Sequence, residues 1–389
     1  MKKVVFITSR FPFPLDKGDK LRAYYQLREM SKTCDIHLIS ISREKINPEQ
    51  LKELDKFCSS ISIHSLSLFQ SFIGLLWALL RGKPFQVGLF FNKKIKSRIS
   101  KEIKAIEPHH IYCQLIRAAE YVKDEFSIPK TIDFMDVLSK GIERRIPSSP
   151  FYIKRILEIE AERLKVYEHI MFEYFDHHSI ISAQDQGLIY HTSREKIEII
   201  PNGIDTDFFS PNGSSKKEYD FLFNGNMQYQ PNVTSAIYIA KSIMPLVWKS
   251  HPNATLLISG TSPTQEVKNL ANDKIHISGW MDDIRNAYNS ADIFIAPMQI
   301  GTGLQNKLLE AMAMQLPSVT SKLANNALKA VHNESILIGK NKEEYAKLMC
   351  ELLENKTKRD QIGLKGKEYV FSHFNWESTT QKLMRIMDL

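Results

Sequence analysis

The 389-residue chain reads as an α/β protein built from two doubly wound parallel-sheet domains. Three observations predict this. The length exceeds what one hydrophobic core usually supports, so two domains of about 150–200 residues are expected. Short apolar runs alternate with helical stretches along the chain, which is the pattern of successive βαβ units. The alternation restarts near residue 200, after a loop of turn formers, Pro201-Asn202-Gly203-Ile204-Asp205, and a polar stretch over 210–218. The expected division is 1–200, 201–370 and a last helical segment, 371–389.

The first strand is expected over residues 3–8 (KVVFIT), ending in a loop with Pro12 and Pro14. Gly18 and Asp19 then open a helix that runs to about Lys32. A second strand follows over 35–41 (DIHLISI), and further strands over 111–112, 131–135 and 179–181, with a long helix over 150–175. The second half carries strands over 219–224, 255–259, 275–277, 293–297 and 318–320. In such sheets ligands gather at the carboxyl ends of the strands.

Composition excludes several classes. With 43% hydrophobic and 25% charged residues the chain is globular rather than disordered. Cys34, Cys58, Cys113 and Cys350 stand far apart with no CxxC, so neither a disulfide framework nor a zinc site is expected. Met1-Lys2-Lys3 leads into a short apolar run and then polar residues, which is no signal-peptide pattern, so a cytoplasmic protein is expected. There is no GxGxxG, no GxxxxGK[ST] and no DxD. A nicotinamide or flavin cofactor, a P-loop and a bound metal are therefore not expected.

The net charge of +8 is uneven: residues 1–200 hold 32 Lys+Arg against 25 Asp+Glu, and residues 201–389 hold 20 against 19. Much of the excess lies between Arg81 and Lys104, where eight basic residues face one acid, Glu102. An apolar run over 66–80 precedes it, too short and interrupted to span a membrane. Two readings stand. One is an interfacial helix that inserts Phe69, Phe72, Leu75, Leu76, Trp77 and Leu79 into an anionic membrane surface beside its basic flank. The other is a buried helix followed by a solvated charged face. No nucleic-acid-binding motif surrounds the basic residues, and nucleic acid is not expected as a partner.

The most telling stretch is 301–320, GTGLQNKLLEAMAMQLPSVT. A strand over 291–297 (ADIFIAP) leads through a Gly-containing turn into a helix, and a β-type run begins at Pro317. The N–H groups of Gly303, Leu304, Gln305 and Asn306 at the helix start are placed to hold a phosphate; the alternative is a plain turn. Lys307 is the nearest fixed cation, or else a solvated helix lysine. Glu310 sits among Leu308, Leu309, Ala311, Met312 and Ala313, where an acid is costly to bury unless hydrogen-bonded. It can reach sugar hydroxyls of the same ligand; the alternative is an exposed helix acid.

This segment resembles the donor-binding signature of the GT-B glycosyltransferases, in particular their retaining family four. The signature is Glu, seven residues, then Glu followed by Ala-Met-Ala, matched here by Glu310, Ala311, Met312 and Ala313. The first acid is replaced by Thr302, and the chain continues Gly303-Leu304-Gln305-Asn306-Lys307. The PNGID loop is similar to the hinge phrase of the same family. The resemblance implies two Rossmann-like domains facing a cleft, with a C-terminal helix returning to the N-terminal domain. It implies retaining, metal-independent transfer from a UDP- or GDP-linked sugar, with no further cofactor, to a glycan or lipid-diphosphate-linked acceptor. It also implies a role in bacterial surface polysaccharide synthesis, peripheral on the inner face of the plasma membrane.

The resemblance carries over to individual positions. Glu310 would accept hydrogen bonds from the donor ribose, and Thr302 would meet a sugar hydroxyl without carrying charge. The loop Gly225-Asn226-Met227-Gln228-Tyr229-Gln230-Pro231-Asn232 lacks the family's Arg and Lys, so Lys307 or Arg10 is expected to supply that charge. Gly279-Trp280-Met281-Asp282-Asp283-Ile284 matches the nucleobase loop. Trp280 stacked on a base would contribute about 1–3 kcal/mol; otherwise it is domain core and Asp282 or Asp283 a helix cap. Gly18 stands where relatives have glycines that admit substrate or phosphate. Asp136 follows the 131–135 strand where many relatives have His, and would orient the acceptor, hold a sugar hydroxyl, or only cap a turn. A nucleotide-sugar epimerase and a catalytically silent GT-B partner protein are the alternatives to a transferase.

Overall fold

The computed structural model describes residues 1–147, 149–211, 217–300 and 303–389. They divide into two units, Met1–Pro201 with Trp376–Leu389, and Asn202–Asn375.

The first unit carries a parallel sheet of β1 (Lys2–Thr8), β2 (Cys34–Ser42), β3 (Ser60–Ser65), β4 (His110–Gln114), β5 (Lys130–Asp133), β6 (His177–Ile180) and β7 (Glu198–Ile199). Their order is β3-β2-β1-β4-β5-β6-β7. β1 is central, and Val4, Val5, Phe6 and Ile7 are fully buried, as an apolar run covered on both faces must be. Val5 and Ile7 meet the cluster containing Ile99 and Leu164, while Val4 and Phe6 meet the one containing Leu27 and Leu383. The helix Trp376–Ile386 belongs to this second cluster's side, and the Trp376 ring stacks on Tyr25 of the helix Gly18–Met30 at 5.1 Å. It begins five residues later than the expected closing segment, because the helix Lys356–His373 continues through residues 371–373.

The second unit carries β8 (Tyr219–Asn224), β9 (Leu256–Ser259), β10 (Ile275–Gly279), β11 (Ala291–Ala296), β12 (Ser318–Ser321) and β13 (Leu337–Gly339), in the order β10-β9-β8-β11-β12-β13. This sheet is also parallel throughout.

Two expectations are corrected here. The strand expected over 131–135 stops at Asp133, because Met135 turns into the left-handed region at φ 62. Asp133 is fully buried and takes Arg22 Nε–H at 2.6 Å, Tyr112 OH at 2.8 Å and Ser179 OH at 3.0 Å, and its Oδ1 also accepts Met135 N–H at 3.3 Å. A buried carboxylate needs such partners, and they set the turn that carries Asp136. The second correction concerns the run over 66–80, which is not a buried helix. Ser67 caps a helix over Leu68–Leu80. It lies on the segment Phe85–Gly88 through a close approach of Gly74 to Gly88, where a Cβ on Gly74 would stand 2.0 Å from the Gly88 carbonyl oxygen. Phe69, Phe72, Leu76 and Leu79 face solvent, Phe69 at 72% exposure. Leu75 is half-buried, and Trp77 points inward onto Phe91 with ring centres 4.2 Å apart. The basic helix Lys93–Ile106 buries Ile95, Ile99 and Ile103.

Candidate functional site

In the second unit the chain lays down β8, β9 and β10 in one direction and resumes with β11 on the other side of β8. The loops leaving β8 and β11 therefore diverge, and this switch point is where doubly wound sheets take ligands. Gly225 leaves β8 at φ 155. A Cβ there would lie 2.6 Å from Asn232 Nδ2 and 3.2 Å from Lys307 Nζ, so glycine lets the backbone pass beside the lysine.

The helix Asn306–Ala313 starts across this switch point, with Gln305 at its N-cap position. Gly303, Leu304 and Gln305, whose N–H groups are expected at the helix start, lie just before its first helical residue, Asn306. Asn306 and Lys307 are the first helical residues, while Leu308 N–H already donates to Gln305 O at 2.9 Å. Asn306 Oδ1 accepts from Asn202 Nδ2 at 3.4 Å, so the PNGID loop braces the helix start. Thr302 lies outside the described residues.

Lys307 is not a solvated helix lysine. It is 9% exposed; its Nζ donates to Asn232 Oδ1, and stands 3.9 Å from Met298 Sδ and 4.9 Å from the centre of the Phe223 ring. Asn232 Nδ2 in turn donates to Asn226 O at 2.9 Å, and Asn226 Oδ1 accepts Gln228 N–H at 2.9 Å. The ammonium is thus built into the Gly225–Asn232 loop that lacks a cation of its own. Burial lowers its pKa to about 7, against the pull of Glu310. Arg10 lies in the first unit, tied to Asp19 at 2.6 Å.

Glu310 lies one turn beyond Lys307 on the same helix face. Tyr288 OH donates to its Oε2 at 2.7 Å, and Asn224 Nδ2 donates to the Tyr288 oxygen at 2.7 Å. Burial pushes the Glu310 carboxyl up, and Tyr288 and Lys307 oppose the shift. The residue keeps partial exposure. Its carboxylate is therefore held by Tyr288 and has further lone pairs to offer a ligand hydroxyl. Tyr288, Asn224 and Asn232 were not singled out in the sequence, because each acts through a partner far away in the chain.

Gly279 ends β10 at φ 70. Trp280 is 65% exposed and so is not core; its indole N–H donates to Asp282 Oδ1 at 3.2 Å. Met281 and Ile284 pack partly against the core of the unit. Asp283 Oδ1 accepts Arg285 N–H at 2.9 Å, and its carboxylate pairs with the Arg285 guanidinium, which lies over the Phe208 ring at 4.1 Å. The loop is thereby anchored beneath an exposed indole face.

In the first unit the switch point falls between β1 and β4. Gly18 opens its helix with nothing within 4 Å of a Cβ, so packing does not require glycine there. Asp136 is exposed to solvent. Even so, desolvation together with Asp185 pushes its carboxyl up to about 6, with Arg117 opposing. Gly18 and Asp136 thus belong to one unit, and Gly225, Asn226, Gly279 to Ile284 and Gly303 to Glu310 belong to the other.

Residues 218–355 match the protein family described as Glycosyl transferases group 1. Over 96% of its length the chain is 23% identical to an uncharacterized 44.6 kDa protein in the cps region of Klebsiella pneumoniae, of which it covers 97%. Over 48% of its length it is 23% identical to a GDP-mannose-dependent alpha-(1-6)-phosphatidylinositol monomannoside mannosyltransferase of Mycobacterium tuberculosis, spanning 54% of that enzyme. The structure of Anabaena Alr3699/HepE in complex with UDP and glucose is similar across 100% of both chains, with a TM-score of 0.68 at 12% identity. That likeness shows the fold, two parallel-sheet α/β units of GT-B type. The stretch of the second unit that holds Lys307 and Glu310 thus carries the match to the group 1 glycosyl transferases, and the chain as a whole has a fold of GT-B type.

Proposed function

We propose that the second unit binds a nucleotide sugar and that the sugar passes, with retention at its anomeric carbon, to a lipid-linked or glycan acceptor. The observation that carries this reading is Lys307 built into the Gly225–Asn232 loop, one helical turn from Glu310. The ammonium and the first-turn N–H groups of Asn306 and Lys307 would receive the diphosphate, in the field of the helix N-terminus. Glu310, oriented by Tyr288, would accept the ribose hydroxyls. The exposed face of Trp280 would cover the base. Lys307 supplies the positive charge that a divalent ion would otherwise bring to the leaving diphosphate. As the glycosidic bond to phosphate breaks, the leaving phosphate oxygen takes the acceptor's proton on the face the sugar leaves, and the configuration is kept. UDP and GDP are both carried as candidates, because a UDP complex and a GDP-mannose enzyme are among the similar proteins.

The acceptor is proposed to lie at a membrane surface. Phe69, Phe72, Leu76, Leu79 and Leu80 form an outward apolar row on Leu68–Leu80, followed by the basic residues of 81–104. Among the described residues no helix is long and apolar enough to cross a membrane. An interfacial helix with a basic flank suits an anionic lipid surface. The similarity to a protein of a cps region supports a place in bacterial surface polysaccharide synthesis.

The test is a panel of UDP- and GDP-linked sugars with a polyprenyl-diphosphate-linked sugar as acceptor, in the presence of EDTA. Release of free nucleoside diphosphate should rise when the acceptor is added. The anomeric signals of the product should show the donor's configuration. An inverted product, or activity lost in EDTA, would contradict this mechanism.

A further inference from the structure

The carboxyl edge of the first sheet holds a feature that the transfer reaction has not used. Three arginines follow three adjacent strands: Arg10 after β1, Arg43 after β2 and Arg117 after β4. Arg10 and Arg117 flank the switch point itself. Burial first, and then the nearby Arg10, lower the Arg117 pKa, while Asp19 and Asp136 oppose them. Arg10 is neutralised by Asp19. Neither Arg43 nor Arg117 makes a close ion pair among the described residues; Asp19 and Asp136 act on Arg117 from further away. Arg117 is partly buried, and its Nε and Nη2 donate to a neutral group, Gln86 Oε1, at 3.1 and 2.5 Å. Both guanidinium groups stand against the Phe90 ring, Arg43 at 6.0 Å and Arg117 at 5.8 Å from its centre.

Arg117 is held in place by construction. Gln86 belongs to Phe85–Gly88, whose first N–H groups, those of Phe85 and Gln86, donate to buried Glu160 at 2.7 and 2.9 Å. A partly desolvated guanidinium fixed through two of its nitrogens by one neutral amide, and beside a second arginine, keeps further N–H donors for an arriving anion. The fork geometry of arginine suits phosphoryl oxygens in particular. Gln86 also lies on the segment Phe85–Gly88 that supports the outward apolar helix Leu68–Leu80 through Gly74 and Gly88, and Phe90 follows two residues later. Across β4, Asp136 follows β5 as the next polar group along the edge.

We infer that Arg43, Arg117 and Arg10 receive the phosphoryl group of the acceptor, and that the acceptor is a lipid-linked phosphate whose chain lies toward the Leu68–Leu80 helix. The sugar hydroxyl to be glycosylated would then stand on the Asp136 side. This rests on the proposed transfer to a lipid-linked or glycan acceptor and narrows its chemistry.

The test uses the intact chain in a Lys307→Met background, which removes the ammonium of the proposed donor site. Calorimetry would follow geranyl diphosphate, inorganic pyrophosphate and geraniol. Arg43→Gln alters an exposed side chain and should fold normally; Arg117→Lys keeps the charge and loses the fork. Each should weaken geranyl diphosphate and pyrophosphate binding by roughly ten-fold or more, as for hydrogen bonds to charged groups. Geranyl diphosphate should exceed pyrophosphate; equal binding would assign a soluble phosphate instead of a lipid. Geranyl diphosphate binding that survives both arginine substitutions would overturn the inference. UDP and GDP are titrated in parallel into the single arginine variants with Lys307 intact, where their affinity should stay as in the wild type. If the wild type bound neither nucleotide, the donor reading would fail while the arginine result still stood to be read.

Discussion

At the scale of single residues the donor proposal rests on how Lys307 and Glu310 are held. The Tyr288 bond to Glu310 leaves room for one more strong acceptor contact. Glu310→Gln keeps the shape and should cost about 1.5–3 kcal/mol of donor affinity, the range for a hydrogen bond to a charged group. Calorimetry with the preferred nucleotide sugar checks this, while the unfolding midpoint should move little. Lys307 predicts a pH dependence of definite sign. Its folded pKa of about 7 lies below the roughly 10.4 of an unfolded lysine. Between those values the unfolded chain holds a proton that the folded chain lacks, so this residue's contribution to stability rises with pH across that window. A bound diphosphate favours the protonated amine. Nucleoside diphosphate affinity should therefore fall as pH rises above about 7, with proton uptake on binding that varies with buffer ionisation enthalpy. Lys307→Met should abolish both the uptake and its pH dependence.

At the scale of elements, Gly74 and the outward face of its helix make separate predictions. A methyl group at Gly74 would meet the Gly88 carbonyl oxygen at 2.0 Å, and backbone cannot rotate away as a side chain can. Gly74→Ala should destabilise the first unit by about 1–3 kcal/mol, read as a lower urea midpoint with an unchanged slope. The outward row should behave oppositely. Phe69→Ser, Phe72→Ser and Leu76→Ser combined should leave the urea midpoint nearly unchanged and reduce sedimentation with anionic vesicles. Salt should weaken the wild-type binding, since exposed charges are screened over about 8–10 Å. Equal binding of both proteins would refute the membrane role of this helix.

The same scale shows what could be read from sequence and what could not. The central strands were legible because they are buried on both faces and so appear as unbroken apolar runs, as in VVFI of β1. β3, β7 and β13 were not, for β3 alternates Ser and Ile at an edge and the other two have two and three residues. The end of β5 was misplaced because the turn at Met135 is set by the Arg22–Asp133 pair, 111 residues apart. Trp77 and its neighbours share one hydrophobicity, and only the Gly74–Gly88 crossing decides which of them faces inward.

For the whole molecule, both sheets follow one plan: three strands laid outward, then a return to the other side of the first. Each switch point carries basic groups, Lys307 in the second unit and Arg10 with Arg117 in the first. The motif around Glu310 was legible because it is contiguous, while the partners that orient it are not: Tyr288 is 22 residues from Glu310, and Asn232 is 75 from Lys307. The arginine edge was illegible for the same reason, being spread over three strand ends.

The central claim is that a nucleoside diphosphate occupies the β8/β11 switch point. Hydrogen exchange on the intact chain, with and without saturating UDP or GDP, tests it most directly. The account predicts slowed exchange in peptides covering 225–232, 279–284 and 303–310, lost in Lys307→Met and absent from peptides of the first unit's carboxyl edge. Protection of that edge in place of these three segments, or nucleotide binding that leaves all three unchanged, would contradict it.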